Sequence, residues 1–297
     1  MLKSGLQVMV LLVLVTGLLA GVAVRAQAPG WPTPFGATPG TMTKIDDGLY
    51  VYSHSGTNAL VMITAEGVIV GDPVNPWAAR DMRAKIGLLT DQPVRYLVYS
   101  HAHWDHALGG QPFKADGATI VAHENVKRAF ERDPHPDAVM PDVTFTDRYV
   151  LRLGGRTLEL FHLGVNHSDG MIFMRPDNGP YLFAVDMVTP GKVPLSYFYD
   201  YDISGYVRTM LQLESWPGIT TILPGHGPPS APMAALTERR RYVEALLAAV
   251  KAEMLKGTPL PQIIETVELP AFAHMEGYDR FRRLNVERIV AYWVMGK

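Results

Sequence analysis

Residues 99–110 read YSHAHWDHALGG, which sets His101, His103, Asp105 and His106 side by side in one short stretch. The stretch follows VRYLVYS, a buried-strand composition that runs straight into the histidines. On extended backbone, residues two apart share a face, so His101 and His103 point the same way while Asp105 and His106 must turn elsewhere. Tetrahedral zinc takes four ligands, and a catalytic site leaves one position for water. Four donors from one loop would saturate and cramp a single ion, so two ions sharing the loop is the natural reading. Two ions need further ligands, and the chain offers His167 in LGVNHSDG, Asp186 in LFAVDMV and His226 in LPGHGP. Each ends an apolar run beside glycine or small residues, where a rigid scaffold can present a side chain to a cleft.

Working outward, the segments GLYVYSH, NALVMITAEG and GVIVGDP read as strands, and turn residues between them suggest an antiparallel meander over the first two thirds of the chain. PWAARDMRAKIGLL has helical spacing, and ATIVAH followed by ENVKRAFERD repeats a strand–helix alternation. YVLRLGG, RTLELFHLG, MIFMRPDNG and YLFAVDMV are strand-like, GYVRTMLQLESW is helical, and TTILPG is again a strand. Long helical segments follow at 231–256 and 279–294. No internal repeat is evident. The order predicts an α/β protein of the sheet-on-sheet type with helices outside.

Composition bounds the chemistry. The 297 residues are 47% apolar, enough for a substantial core, and the formal net charge of −2 gives no electrostatic case for nucleic-acid binding. There is no cysteine, so disulfides, thiolate ligands and cysteine nucleophiles are excluded, and a metal must be held by nitrogen and oxygen. Lys3 followed by an apolar run over 8–24 and the small residues of VRAQAPG reads as a signal peptide, 1–26, cleaved after Ala26. The competing reading is an uncleaved anchor, because roughly 17 apolar residues is the lower limit for spanning a bilayer. An exported, periplasmic or secreted protein is expected, with no stable membrane insertion after cleavage. Residues 27–44 read as an irregular Pro-, Gly- and Thr-rich lead-in, and 45–297 as the main domain with C-terminal helices.

The series HxHxDH, His167, strand-terminal Asp186 and PGHG, over 45–229, resembles the metallo-β-lactamase fold superfamily. The resemblance implies an αββα four-layer sandwich with the site at one sheet edge and two Zn2+ per chain. Carried over by position, His101, His103 and His167 would hold the first zinc and Asp105, His106 and His226 the second, with Asp186 bridging. Asp72, ending the strand of VIVGDP, resembles the family's first motif, a carboxylate that orients a ligand histidine; the alternative is a plain strand-ending turn residue. His54, His123, His135, His162 and His274 read as structural or surface residues, with His162 close enough in sequence to His167 to support the site.

The resemblance implies metal-assisted hydrolysis, with water acidified from about 16 to about 7 on zinc attacking an ester, thioester, lactone or lactam carbonyl of a small molecule. Asp105 is placed both to ligate and to receive the proton. The lack of cysteine and the presence of Asp186 depart from two lactamase branches and lie nearer to glyoxalase II-like thioesterases and lactonases, although basic residues for glutathione are not recognisable. HLGVNHSDG and the export segment look more like exported zinc metallohydrolases of the superfamily. Trp104 and the aromatics after Asp186 (Tyr197, Phe198, Tyr199, Tyr201) could wall an apolar acyl pocket or equally be core. Two alternatives stay open: an iron-dependent oxidoreductase of the sulfur dioxygenase or diiron kind, and a β-lactamase, for which Lys192 is the only nearby cation. Substrate identity and oligomeric state are not legible.

Overall fold

The apolar runs of the first half form strands that pair in the order in which they occur. The structure, a computed structural model, describes residues 38–296; the expected signal segment and residues 27–37 of the lead-in lie outside the described residues. β1 (Thr41–Asp46), β2 (Leu49–His54), β3 (Thr57–Thr64) and β4 (Gly67–Gly71) are antiparallel neighbours. β1 begins inside the stretch expected to be irregular, because the β-branched Thr41 and Thr43 pair with β2 at the sheet edge. After α1 (Pro76–Gly87) the pattern changes: β5 (Val94–Val98) lies parallel to β4. α2 (Trp104–Ala107) and α3 (Gln111–Ala115) lead to β6 (Thr119–His123), and α4 (Glu124–Arg132) leads to β7 (Val143–Phe145), both parallel additions. The antiparallel meander therefore stops at β4. Helices interrupt the chain beyond it, and a parallel pair needs such a crossover.

The second sheet contains β8 (Arg148–Leu153), β9 (Arg156–His162), β10 (Ile172–Pro176) and β11 (Tyr181–Phe183), antiparallel in sequence. α5 (Ile203–Glu214) then crosses over, so β12 (Thr221–Leu223) joins β11 in parallel and β13 (Ala231–Pro232) closes the edge. α6 (Met233–Leu255), α7 (Leu260–Thr266) and α8 (Tyr278–Met295) complete the described chain. Among the described residues, no helix is long and apolar enough to cross a membrane.

Period-2 alternation sorts the inner strands β2–β6 of the first sheet between two dry faces, which is why they read as mostly apolar runs. Leu60, Met62, Ile69, Val98 and Val121 belong to the core shared with Leu158, Leu160 and Met174 of the second sheet. Ala59, Val61, Val70, Leu97 and Ile120 belong instead to the core with Met82 of α1, Phe113 of α3 and Phe130 of α4. Gly71 faces the inter-sheet core where a Cβ would come within 2.9 Å of Met174 Sδ, so the sheets close against the bare backbone there. Residues of α5, α6 and α8, including Met210, Leu246 and Ile289, cover the far side of the second sheet. The layers are thus αββα. Truncating the fully buried Phe173 of β10 to alanine is expected to cost about 3–5 kcal/mol. Calorimetry should show that as a fall in Tm of roughly 10 °C; a fall near zero would mean that the layer beneath β10 is not packed as described.

Candidate metal centre

The parallel strands deliver their C-terminal ends to one edge. β4 runs into Asp72, β5 into His101, β11 into Asp186 and β12 into His226. The loop carrying His167 reaches the same edge, where the Ile172 N–H donates to the Ser100 carbonyl at 2.8 Å. Within the histidine stretch, α2 is a single turn in which the His106 and Ala107 N–H groups both donate to the His103 carbonyl, at 3.1 and 2.9 Å. That turn swings Asp105 and His106 away from the face shared by His101 and His103, as the spacing requires.

Asp186 lies at the centre, in a 3-10 turn over Val185–Met187. Its Oδ2 is 3.4 Å from His101 Nε2 and 3.1 Å from His167 Nε2, whereas its Oδ1 is 3.5 Å from His106 Nε2 and 3.3 Å from His226 Nε2. Asp105 Oδ2 completes the second set, 3.3 Å from His226 Nε2 and 3.6 Å from His106 Nε2. His103 completes the first, its Nδ1 3.0 Å from His167 Nε2. Two clusters result, His101–His103–His167–Asp186 and Asp105–His106–His226, each with donor atoms within 4.8 Å of one another. All seven residues read from the sequence are brought together.

The donor set fits divalent cations. His101 Nε2 and Asp186 Oδ1 are buried and satisfy no hydrogen-bond geometry. His106 Nε2 faces His226 Nε2 at 3.2 Å, and imidazole nitrogens this close repel unless a proton or a cation lies between them. Oxygen and imidazole donors without thiolate suit zinc, and suit iron as well.

A surrounding layer of polar contacts orients these donors. Asp72 is fully buried and accepts hydrogen bonds from the Ser100 N–H and Oγ–H, each at 2.7 Å, with His106 Nδ1 at 3.3 Å. Asp72 thus lies against the ring of His106, and its backbone φ is 68°. Ser100 Oγ is 2.9 Å from His101 Nδ1. His226 Nδ1 is 3.2 Å from the Gly56 carbonyl. Asp200, which sequence reasoning missed, places Oδ2 2.5 Å from His103 Nε2. Asn58 was missed as well. Buried on β3, it donates to the Pro224 carbonyl at 2.9 Å and ties the PGHG loop to the opposite sheet. A Cβ at Gly225 would lie 2.9 Å from Asp186 Oδ1, so this glycine lets the loop close over the central carboxylate.

Charge is concentrated here. Burial would lift the Asp186 carboxyl, but His106, His226 and His167 outweigh it and hold it well below the usual carboxylate range. Asp105 follows the same pattern through His106 and His226. Burial pushes the His106 imidazole down, yet Asp186, Asp105 and Asp72 together hold it well above its ordinary value. The set is a buried cluster of mutually compensating charges.

The other histidines stand apart. His162 stacks on His123 with ring centroids 3.9 Å apart and contacts the Asp169 carbonyl; His54 stacks on Trp77; His274 pairs with Glu238. His135 lies edge-on to Trp104. Of the aromatics, Phe198 is core, and Tyr201 packs edge-on against His167 at 4.5 Å. Trp104 and Tyr199 remain 44% and 75% exposed, and Tyr197 lies beside Tyr199 with ring centroids 5.3 Å apart. Trp104 follows His103 in the chain and Tyr199 precedes Asp200. Lys192 is engaged by Glu276 at 2.7 Å.

A family model described as the metallo-beta-lactamase superfamily matches residues 53–233. The chain is similar to the 2,4-dinitroanisole O-demethylase subunit alpha of Nocardioides sp. (strain JS1661), with 28% identity over 128 residues, 42% of this chain and 39% of that protein. It thus spans about two fifths of that relative's length. Its fold is similar to the solved structure of a metallo-beta-lactamase from Pontibacter korlensis, with a TM-score of 0.61 and 20% identity over 69% of this chain and 99% of that one. With the family model covering more than half of the chain, the chain belongs to the metallo-beta-lactamase superfamily.

Proposed function

We propose that the protein is a hydrolase that holds two divalent ions, zinc in preference, and opens an ester, thioester or lactone carbonyl. The observation that supports this reading most is the division of the Asp186 carboxylate, one oxygen toward His101 and His167 and the other toward His106 and His226. His101, His103 and His167 would hold one ion, Asp105, His106 and His226 the other, and Asp186 both. Bound there, the metal supplies Lewis-acid polarisation of the substrate carbonyl and a water-derived nucleophile at neutral pH.

The rest is done by the chain's own groups. Asp105 keeps one oxygen on His226 and His106 while part of its side chain faces solvent, so it can take a proton from the attacking water and return it to the leaving group. Asp72 and the Gly56 carbonyl fix the rings of His106 and His226, and Asp200 fixes that of His103. Trp104 and Tyr199 offer apolar surface beside the centre for the non-reacting part of the substrate. Lys192, near enough in sequence to meet a β-lactam carboxylate, is paired with Glu276 on the exposed surface.

A second reading, removal of a methyl group from an aryl ether, draws support from the similarity to the O-demethylase subunit and from the same exposed aromatics. A panel on zinc-loaded protein covering lactones, thioesters, aryl methyl ethers, penicillins, carbapenems and phosphodiesters separates these readings. A lactone or thioester is expected to rank first in kcat/KM. An aryl ether ranking first would establish the second reading, and protein that takes up only iron when both metals are offered would move it to the oxidative members of the fold.

A further inference from the structure

Asp200 reaches His103 from the end of the loop that joins Asp186 to α5, and that loop has little regular structure of its own. Ser196 and Phe198 have φ of 52° and 34°, a conformation disfavoured for residues with a Cβ. Buried polar side chains of the C-terminal helices grip its backbone. On α6, Arg239 donates to the Lys192 carbonyl at 2.7 Å and the Thr189 carbonyl at 3.4 Å. On α8, Asn285 donates to the carbonyls of Pro194 at 3.1 Å and Ser196 at 2.6 Å, while its Oδ1 accepts from the Tyr242 O–H at 2.9 Å. One turn further along α8, Arg288 donates to the carbonyl of Tyr201 at 2.7 Å, next in the chain to Asp200. All three are at most 5% exposed. A turn-and-loop carbonyl inside a protein must find a donor, and here the donors come from two helices that lie beyond the residues the family model matches.

We propose that α6 and α8 act as a clamp that positions the metal centre at a distance: Arg239, Asn285 and Arg288 set the course of the loop, the loop sets Asp200, and Asp200 fixes the ring of His103. These are positioning residues, since none of them touches the centre. The inference rests on His103 being a ligand, as the proposed function has it. Its logic is that a carboxylate bound to the outer nitrogen of a ligand imidazole orients the ring and raises its basicity, so loosening that carboxylate weakens metal binding about 10-fold or more.

The test uses Arg288→Met, which keeps the aliphatic stem without the donor, Arg288→Lys, which restores a donor, and Asp200→Ala as reference. Two readings are taken on the full chain: zinc affinity by chelator competition, and the downfield NMR resonance of the His103 Nε2 proton in histidine-labelled protein. Arg288→Met is expected to lose that resonance and about 10-fold in affinity, as Asp200→Ala does, with Arg288→Lys recovering both. The double variant should be no weaker than Asp200→Ala alone, because both act through one contact. If Arg288→Met fails to fold, Asn285→Asp, which keeps the Tyr242 acceptor and removes both loop donors, is judged by the same readings. A folded variant with wild-type resonance and affinity, or effects that add to those of Asp200→Ala, would overturn the clamp. Should the wild type bind no zinc, the proposed function falls, and the resonance still decides the clamp.

Discussion

Replacing Asp186 by alanine is expected to empty the centre of metal while leaving the fold in place. No other described side chain faces both clusters with separate oxygens, so its loss removes an anionic donor from each ion at once. Outer contacts alone are worth 10–100-fold in metal affinity, and a shared ligand must be worth more, about 1,000-fold or beyond. Turnover should fall at least as far, since several kcal/mol of transition-state stabilisation leave with the metal. Folding is expected to survive, because the turn is held by backbone contacts. The Tyr201 O–H donates to the Asp186 carbonyl at 3.3 Å and the Gly225 N–H to the Val185 carbonyl at 2.7 Å. Elemental analysis after dialysis against a chelator checks this; two retained ions per chain would remove Asp186 from the centre of the account.

Asp72→Ala is expected to damage stability and metal binding together. The carboxylate is fully buried and faces the two donors of Ser100 and the Nδ1 of His106. Stranding them costs about 3–5 kcal/mol, the range for breaking a buried charged pair from one side. An alanine at φ 68° adds about 1 kcal/mol of backbone strain. The fall in Tm should exceed roughly 10 °C. With Ser100 released, His101 loses its support through Ser100 Oγ as well, so both clusters are affected. Asp72→Asn keeps the shape and is expected to retain most of the stability but not the full metal affinity. Wild-type melting in Asp72→Ala would show that the turn holds without its carboxylate.

The ligand residues were legible because each follows an apolar strand, directly or in the loop or turn after it, and the parallel pairs β4–β5 and β11–β12 bring such ends to one edge. Whether neighbouring strands run parallel was not legible. A strand dry on both faces has the same composition either way, and the helices between decide the matter. The short elements α2, α3, α7, β7 and β13 fall below the length at which periodicity speaks. Asp200 was hidden for another reason. It lies 97 residues from His103, in a loop whose course is set by Arg239, Asn285 and Arg288. In the sequence those three look like the polar faces of two solvated helices. Two acids among the tyrosines of YFYDYD, Asp200 and Asp202, gave a residue type but no partner.

The central claim is that two ions share Asp186. Anomalous diffraction at the metal absorption edge, from crystals of the zinc-loaded chain, tests it most directly. Two peaks are predicted, one on the His101, His103 and His167 side of the carboxylate and one on the Asp105, His106 and His226 side. A single peak, or zinc bound elsewhere with none beside Asp186, would contradict it.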